Sequence, residues 1–216
     1  MRITKFVHAC LLVEDGDARL LLDPGAYSAG FEQLTGLTAV LISHQHPDHV
    51  DLDRLPALLE RNPEAVLHAD EGTAAQLAER GLPVRAVRAG DVLELGTRVR
   101  VVGRDHAVIH PDLPVIPNTG YLVAERFLHP GDAFTVPEAE VELLGLPSGA
   151  PWLKAAEAVD YLRAVRPRVV LPIHEAGLSM PAMTYALFDQ LKPERTELRV
   201  IDGGEPADFG RAPSGS

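Results

Sequence analysis

His44-Gln45-His46-Pro47-Asp48-His49 sets three imidazoles and one carboxylate within a single short run. Polar side chains at that density are costly to gather unless a positive charge sits among them. His44 and His46 can reach one ion from an extended or tightly turned segment. Asp48 and His49 follow Pro47 and can reach a second. Imidazole and carboxylate are ligands that zinc accepts, at about 2.0–2.2 Å. A solvated, His-rich loop is the plainer reading, and the order H-x-H-x-D-H weighs against it.

The flanks agree. Thr38-Ala39-Val40-Leu41-Ile42-Ser43 is short, apolar and partly β-branched, as a buried strand is. The histidines therefore start where a strand ends, which places ligands more firmly than a free loop. Leu52 to Glu60 reads as a short helix with Pro56 in its first turns.

Further out, the first half reads as strands with turn punctuation: Arg2 to Val7, Cys10 to Val13, Ala18 to Leu22 and Ala65 to His68. Thr73 to Arg80 reads as a helix stopped by Gly81. Val84 to Val87, Asp91 to Leu95, Arg98 to Val102, Gly120 to Ala124, Arg126 to His129 and Glu140 to Leu144 return to strand. Trp152 to Val165 is the strongest helix, with Pro151 before it and Pro167 past its end. Arg168 to Leu171 is a strand, Pro181 to Leu191 a helix, and Glu197 to Ile201 a last strand. Many short strands with scattered helices predict stacked sheets with helices outside.

At 46% hydrophobic and 24% charged, the chain has the composition of one soluble domain with a sizeable core. We expect that domain over residues 1–209 and a disordered tail over 210–216. A formal net charge of −11 weighs against a protein that grips nucleic acid by electrostatics. Cys10 is the single cysteine, so no internal disulfide forms, and its apolar neighbours mark a buried thiol. No signal-peptide pattern and no membrane-length apolar run are evident, so the expected location is the cytoplasm.

A two-ion site needs more ligands, and three other strand-like runs end on suitable groups: Asp105-His106, His129-Pro130-Gly131-Asp132, and His174 after Pro172-Ile173. Each taken alone reads as a surface or satisfied core residue. Taken with the six-residue run, coincidence is a poor account.

On these residues the chain resembles the metallo-β-lactamase-fold hydrolase superfamily, and within it the small single-domain group similar to ascorbate-6-phosphate lactonase. The resemblance spans nearly the whole chain. It includes His8-Ala9-Cys10-Leu11-Leu12-Val13, Leu20-Leu21-Leu22-Asp23-Pro24-Gly25, the His run, Gly131-Asp132 and Leu171-Pro172-Ile173-His174. It implies a mixed α/β fold, a four-layer αββα sandwich with two divalent metal ions at one edge of the sheets.

Carried over, one ion takes His44, His46 and His106, the other Asp48, His49 and His174, and Asp132 bridges them. His110 is the rival to His106. Asp23 is expected to orient a ligand histidine through its other ring N–H. His8 and His129 are expected to be structural. Zinc suits this donor set, and manganese or iron also enter mixed His/carboxylate sites.

The implied reaction is attack of an activated water on a small ester, lactone or phosphoester, with Asp48 also handling a proton. Selectivity would come from Tyr27, Phe31, residues 110–118 and the Pro147 to Trp152 segment, where Trp152 either packs in the core or narrows the pocket. A nucleic-acid or cyclic-nucleotide phosphodiesterase is one competing reading, and a non-catalytic metal-dependent sensor on the same fold is another. A small-molecule substrate is the expected partner, and homo-oligomers are common in such relatives.

Overall fold

The computed structural model describes residues 1–201 and 203–210. Its strands form two seven-stranded sheets. The first contains β1 (Arg2–Lys5), β2 (Leu11–Asp15), β3 (Ala18–Leu22), β4 (Ala39–Ile42), β5 (Val66–Asp70), β6 (Val84–Val87) and β14 (Pro206–Asp208), in the order β14-β1-β2-β3-β4-β5-β6. The second contains β7 (Val92–Glu94), β8 (Arg98–Val102), β9 (Gly120–Val123), β10 (Phe127–His129), β11 (Leu143–Pro147), β12 (Val169–Ile173) and β13 (Glu197–Leu198), in the order β13-β12-β11-β10-β9-β8-β7. Each sheet is antiparallel on one side and parallel on the other, from β3 to β6 and from β10 to β13.

Alternation along the strands builds the layers. Leu20 and Leu22 face the space between the sheets, where they meet Tyr121, Phe127 and Leu171. Leu21 points the other way, onto α1 (Leu55–Arg61) and α2 (Glu71–Glu79). On the second sheet, Val169, Leu171 and Ile173 face inward and Val170 faces α3 (Ala155–Val165) and α4 (Pro181–Leu191). Strands buried on both faces read as continuous apolar runs. The result is the expected αββα sandwich.

Strand direction then places the site. β1 runs with β3, and β8 with β10, because one antiparallel strand separates each pair. The carboxyl ends of β1, β3, β4, β8, β10 and β12 are therefore the ends from which a ligand site of this kind grows. The sheets are stitched together there by backbone bonds from Thr119 N to Ser43 O (2.9 Å) and from His174 N to His8 O (3.1 Å). The Tyr121 hydroxyl adds a bond to Ile42 O at 2.8 Å.

Several boundaries differ from the sequence reading. β11 lies a few residues past the expected Glu140–Leu144, because Glu142 is taken by Arg126 and Arg168 while the apolar run continues through Gly145 to Pro147. α3 starts at Ala155 rather than Trp152, whose side chain is held in the preceding turn. β14 gave no sequence signal: Pro206 and two Asp/Ala residues on an edge carry little β character. Gly210, read as tail, has its carbonyl bound by Arg126 at 2.9 Å. Residues 211–216 lie outside the described residues. No described helix is long and apolar enough to cross a membrane.

Candidate metal centre

β4 delivers Ser43 and His44, both buried, into a turn closed by bonds from His49 N and Val50 N to His46 O. The Asp23–Ala26 turn docks beneath it, with Ala26 N on Pro47 O at 2.7 Å. Gly25 permits that approach, since a Cβ there would lie 1.8 Å from the Asp48 carbonyl oxygen. On the opposite sheet, Gly131 adopts φ +62 and a Cβ would strike Asn118 Oδ1 at 2.3 Å. The adjacent Asp132 amide donates to the same Asn118 oxygen at 3.0 Å.

Two clusters result. His44, His46, His106 and Asp132 form one, and His8, Asp48, His49 and His174 the other. In each, one donor atom per residue lies within 4.8 Å of all the others. Asp132 faces both: its Oδ1 is 3.1 Å from His49 Nε2, and its Oδ2 is 3.2 Å from His174 Nε2 and 3.5 Å from His106 Nε2. Asp48 Oδ2 is 3.0 Å from His8 Nε2 and 3.3 Å from His174 Nε2.

The hydrogen bonds behind the rings decide which nitrogens face inward. His49 Nδ1 donates to Asp23 Oδ2 at 2.7 Å, His106 Nδ1 to Ala107 O at 2.6 Å, and His174 Nδ1 to Gly149 O at 2.7 Å. The Ser43 hydroxyl donates to Asp23 Oδ2 at 2.7 Å and leaves its oxygen 3.0 Å from His44 Nδ1. Each of these rings thus turns its Nε2 toward the site. The buried Nε2 atoms of His49, His106 and His174, and Asp132 Oδ1, have no hydrogen-bond partner. His44 Nε2 and His46 Nδ1 sit 3.0 Å apart. Two nitrogens on one zinc ion would lie roughly 3.3 Å apart, given tetrahedral bonds of about 2.0–2.1 Å. The donor set therefore fits divalent ions.

His8 differs. Its Nδ1 accepts a hydrogen bond from the Ala176 amide at 3.2 Å, so in the neutral ring the proton is on Nε2, which donates to Asp48. With Nε2–H given to Asp48 and Nδ1 taken by the Ala176 amide, neither His8 nitrogen is left for an ion.

Without ions, charge is balanced by protons. Burial pushes His44 well below the usual imidazole value, and it also lowers His46 and His8. Burial acts the same way on His49 and His174, but carboxylates outweigh it. Asp132 and Asp23 hold His49 well above its usual value, and Asp132 and Asp48 raise His174 to about 9. Burial would raise Asp132 and Asp48, yet the surrounding histidines hold both far below the usual carboxylate range. The pocket favours net positive charge between its carboxylates.

The structure brings His44, His46, Asp48, His49, His106, Asp132 and His174 together, with Asp23 behind His49. His110 stays apart, exposed, with its ring beside Asp112. Trp152 is mostly buried and donates Nε1–H to Asp132 Oδ2 at 2.8 Å, so it both packs and meets the site. Phe31 is in the outer core under Arg54, away from the pocket. His129 is structural, bonded to Ala9 O. Cys10 is buried and its thiol pushed up by burial. Sequence reasoning took His8 as structural and passed over Ser43, though His8 also follows an apolar strand and the strand-end rule points to it. A cavity of about 580 Å³ opens over the second cluster.

A family model described as "Beta-lactamase superfamily domain" matches residues 2–174, ending on the last histidine of the cluster. Protein Rv0786c of Mycobacterium tuberculosis is 57% identical over 182 residues, covering 82% of this chain and 84% of its own. UPF0173 protein PF0020 of Pyrococcus furiosus is 30% identical, covering 90% of this chain and 88% of its own. Among solved structures, Igni18, a metallo hydrolase of Ignicoccus hospitalis, aligns with a TM-score of 0.76 at 18% identity, over 98% of this chain and 99% of its own.

Proposed function

The chain belongs to the β-lactamase superfamily and is one of its metal-dependent hydrolases, and from that premise we propose a dinuclear site that cleaves a small ester, lactone or phosphoester. His44, His46 and His106 would hold one divalent ion, Asp48, His49 and His174 the other, and Asp132 both. The observation that carries this reading is the position of Asp132, whose two oxygens reach histidines of both clusters. Such paired ions supply an acidified water and polarise the oxygen of the group attacked. Zinc is the ion best suited to this donor set.

The protein's own groups do the rest. Asp23 and the Ala107 and Gly149 carbonyls fix the ring faces and make the ligands more basic. Asp48 stands at the cavity floor and is held ionised. Its part in this reading is to accept a hydrogen bond from water, orient it, and relay its proton toward the leaving group without retaining it.

Metal content per chain, measured by elemental mass spectrometry on protein purified without chelator, tests the reading. Two equivalents are expected. One equivalent, or none with no uptake on adding zinc or manganese, overturns the dinuclear site.

A further inference from the structure

The cavity over the second cluster is polar at its floor and apolar on its walls. His8, His46, Asp48, Asp132 and His174 line the floor. Tyr27, Ile109, Ala150, Pro151, Trp152 and Leu178 line the walls. Among the described residues, no lysine or arginine lines it. Its volume of about 580 Å³ falls in the range of small-molecule sites, where a mostly apolar lining carries a few convergent polar groups.

The apolar surface continues past the cavity. Ile109, Leu113 and Val115 are 40%, 52% and 50% exposed. They line a second hollow of about 210 Å³ that shares His46 and Ile109 with the first. A chain rarely leaves large apolar groups grouped in water unless something covers them. The wall at Trp152 is already built: its bond to Asp132 and its edge-on packing against Phe134, centroids 5.2 Å apart, hold the ring.

We propose that this cavity takes an uncharged substrate and seats its apolar acyl portion against Ile109, Trp152 and Leu178, so that neutral esters or lactones, rather than phosphorylated compounds, are cleaved here. The proposal rests on the hydrolase reading above. A phosphate held away from the ions would meet apolar walls with no cation to pair it, in a chain of formal charge −11. Leu178 also packs against Gly149, where a Cβ would lie 2.5 Å from its Cδ2, so the acyl wall abuts the residue whose carbonyl holds His174.

The test uses the protein with the metal it is purified with, and substrates sharing one leaving group: p-nitrophenyl acetate, butyrate, hexanoate and a hexanoate ending in a phosphate. kcat/KM is expected to rise by up to roughly fourfold per added methylene, as burial of each predicts. Hexanoate should exceed the phosphate-ended hexanoate by at least about tenfold. Ile109→Lys, an exposed loop change compatible with folding, should flatten the chain-length trend. Preference for the phosphate-ended hexanoate, or a flat acyl series, overturns the proposal and leaves the hydrolase reading standing. If no compound turns over, fluorescence of the single tryptophan, Trp152, decides. Saturable quenching by hexan-2-one but not by inorganic phosphate supports the apolar pocket while the hydrolase reading fails. No response to hexan-2-one overturns the proposal.

Discussion

His8 donates its Nε2 proton to Asp48 Oδ2 across 3.0 Å, in a tautomer fixed by the Ala176 amide on its Nδ1. The ring is buried, and burial keeps it neutral. It therefore steers one carboxylate oxygen of Asp48 without competing for metal. His8→Ala should keep the full metal content and lower kcat by about tenfold or more, the usual scale for losing such a supporting bond. His8→Gln, which restores an N–H donor, should recover part of the loss. A drop of one metal equivalent in His8→Ala would show that the ring is a ligand after all.

His106 and His110 separate cleanly. His106→Ala should lose metal from the first cluster, because its Nε2 faces Asp132 and its Nδ1 is spent on Ala107 O. His110→Ala should leave metal content unchanged. Equal loss in both variants, or loss in the second alone, would reverse the assignment.

Metal uptake should depend on pH with a defined sign. His174 in the metal-free protein titrates at about 9, and His49 lies well above its ordinary value. Both must shed protons to ligate. Below about pH 9, uptake therefore releases protons and apparent affinity climbs with pH. Calorimetry in buffers of different ionisation enthalpy measures the release. An affinity flat between pH 7 and 9 would sink this account.

Glu142 offers a test at the far end of the fold. Hydrogen bonds from Arg126, and then Arg168, outweigh partial burial and lower it to about 2. Its folded value lies below its unfolded one, so its stabilisation is present above about pH 4.5 and fades as pH falls toward 2. With solvent screening the effect is about 1 kcal/mol, or roughly 2–4 °C in Tm. Glu142→Gln should show that deficit at pH 7 and lose most of it near pH 2.5. Parallel melting profiles at both pH values would contradict the assignment.

Much of this was legible in the sequence because its signals are local. β3 and α4 coincide with runs bounded by turn residues and by Pro181, and the six-residue His run sits where one strand ends. What escaped depends on tertiary contact. Trp152 looked like a helix opener because proline preceded it, whereas its indole N–H is claimed by Asp132, twenty residues away. His8 looked structural because its Asp48 partner comes from another strand end. β14 has no pattern of its own and exists by pairing with β1.

The ring of His8 and the amide of Ala176 that fixes it are 168 positions apart along the chain. A ribosome making this protein releases the first long before the second. Asp48 therefore spends most of synthesis beside a His8 ring whose tautomer nothing yet fixes, and the second cluster lacks His174 until the same late stage. Assembly of the centre is consequently an event of the nearly finished polypeptide, and an ion captured earlier by His44 and His46 alone would be held by a fragment of the final cage.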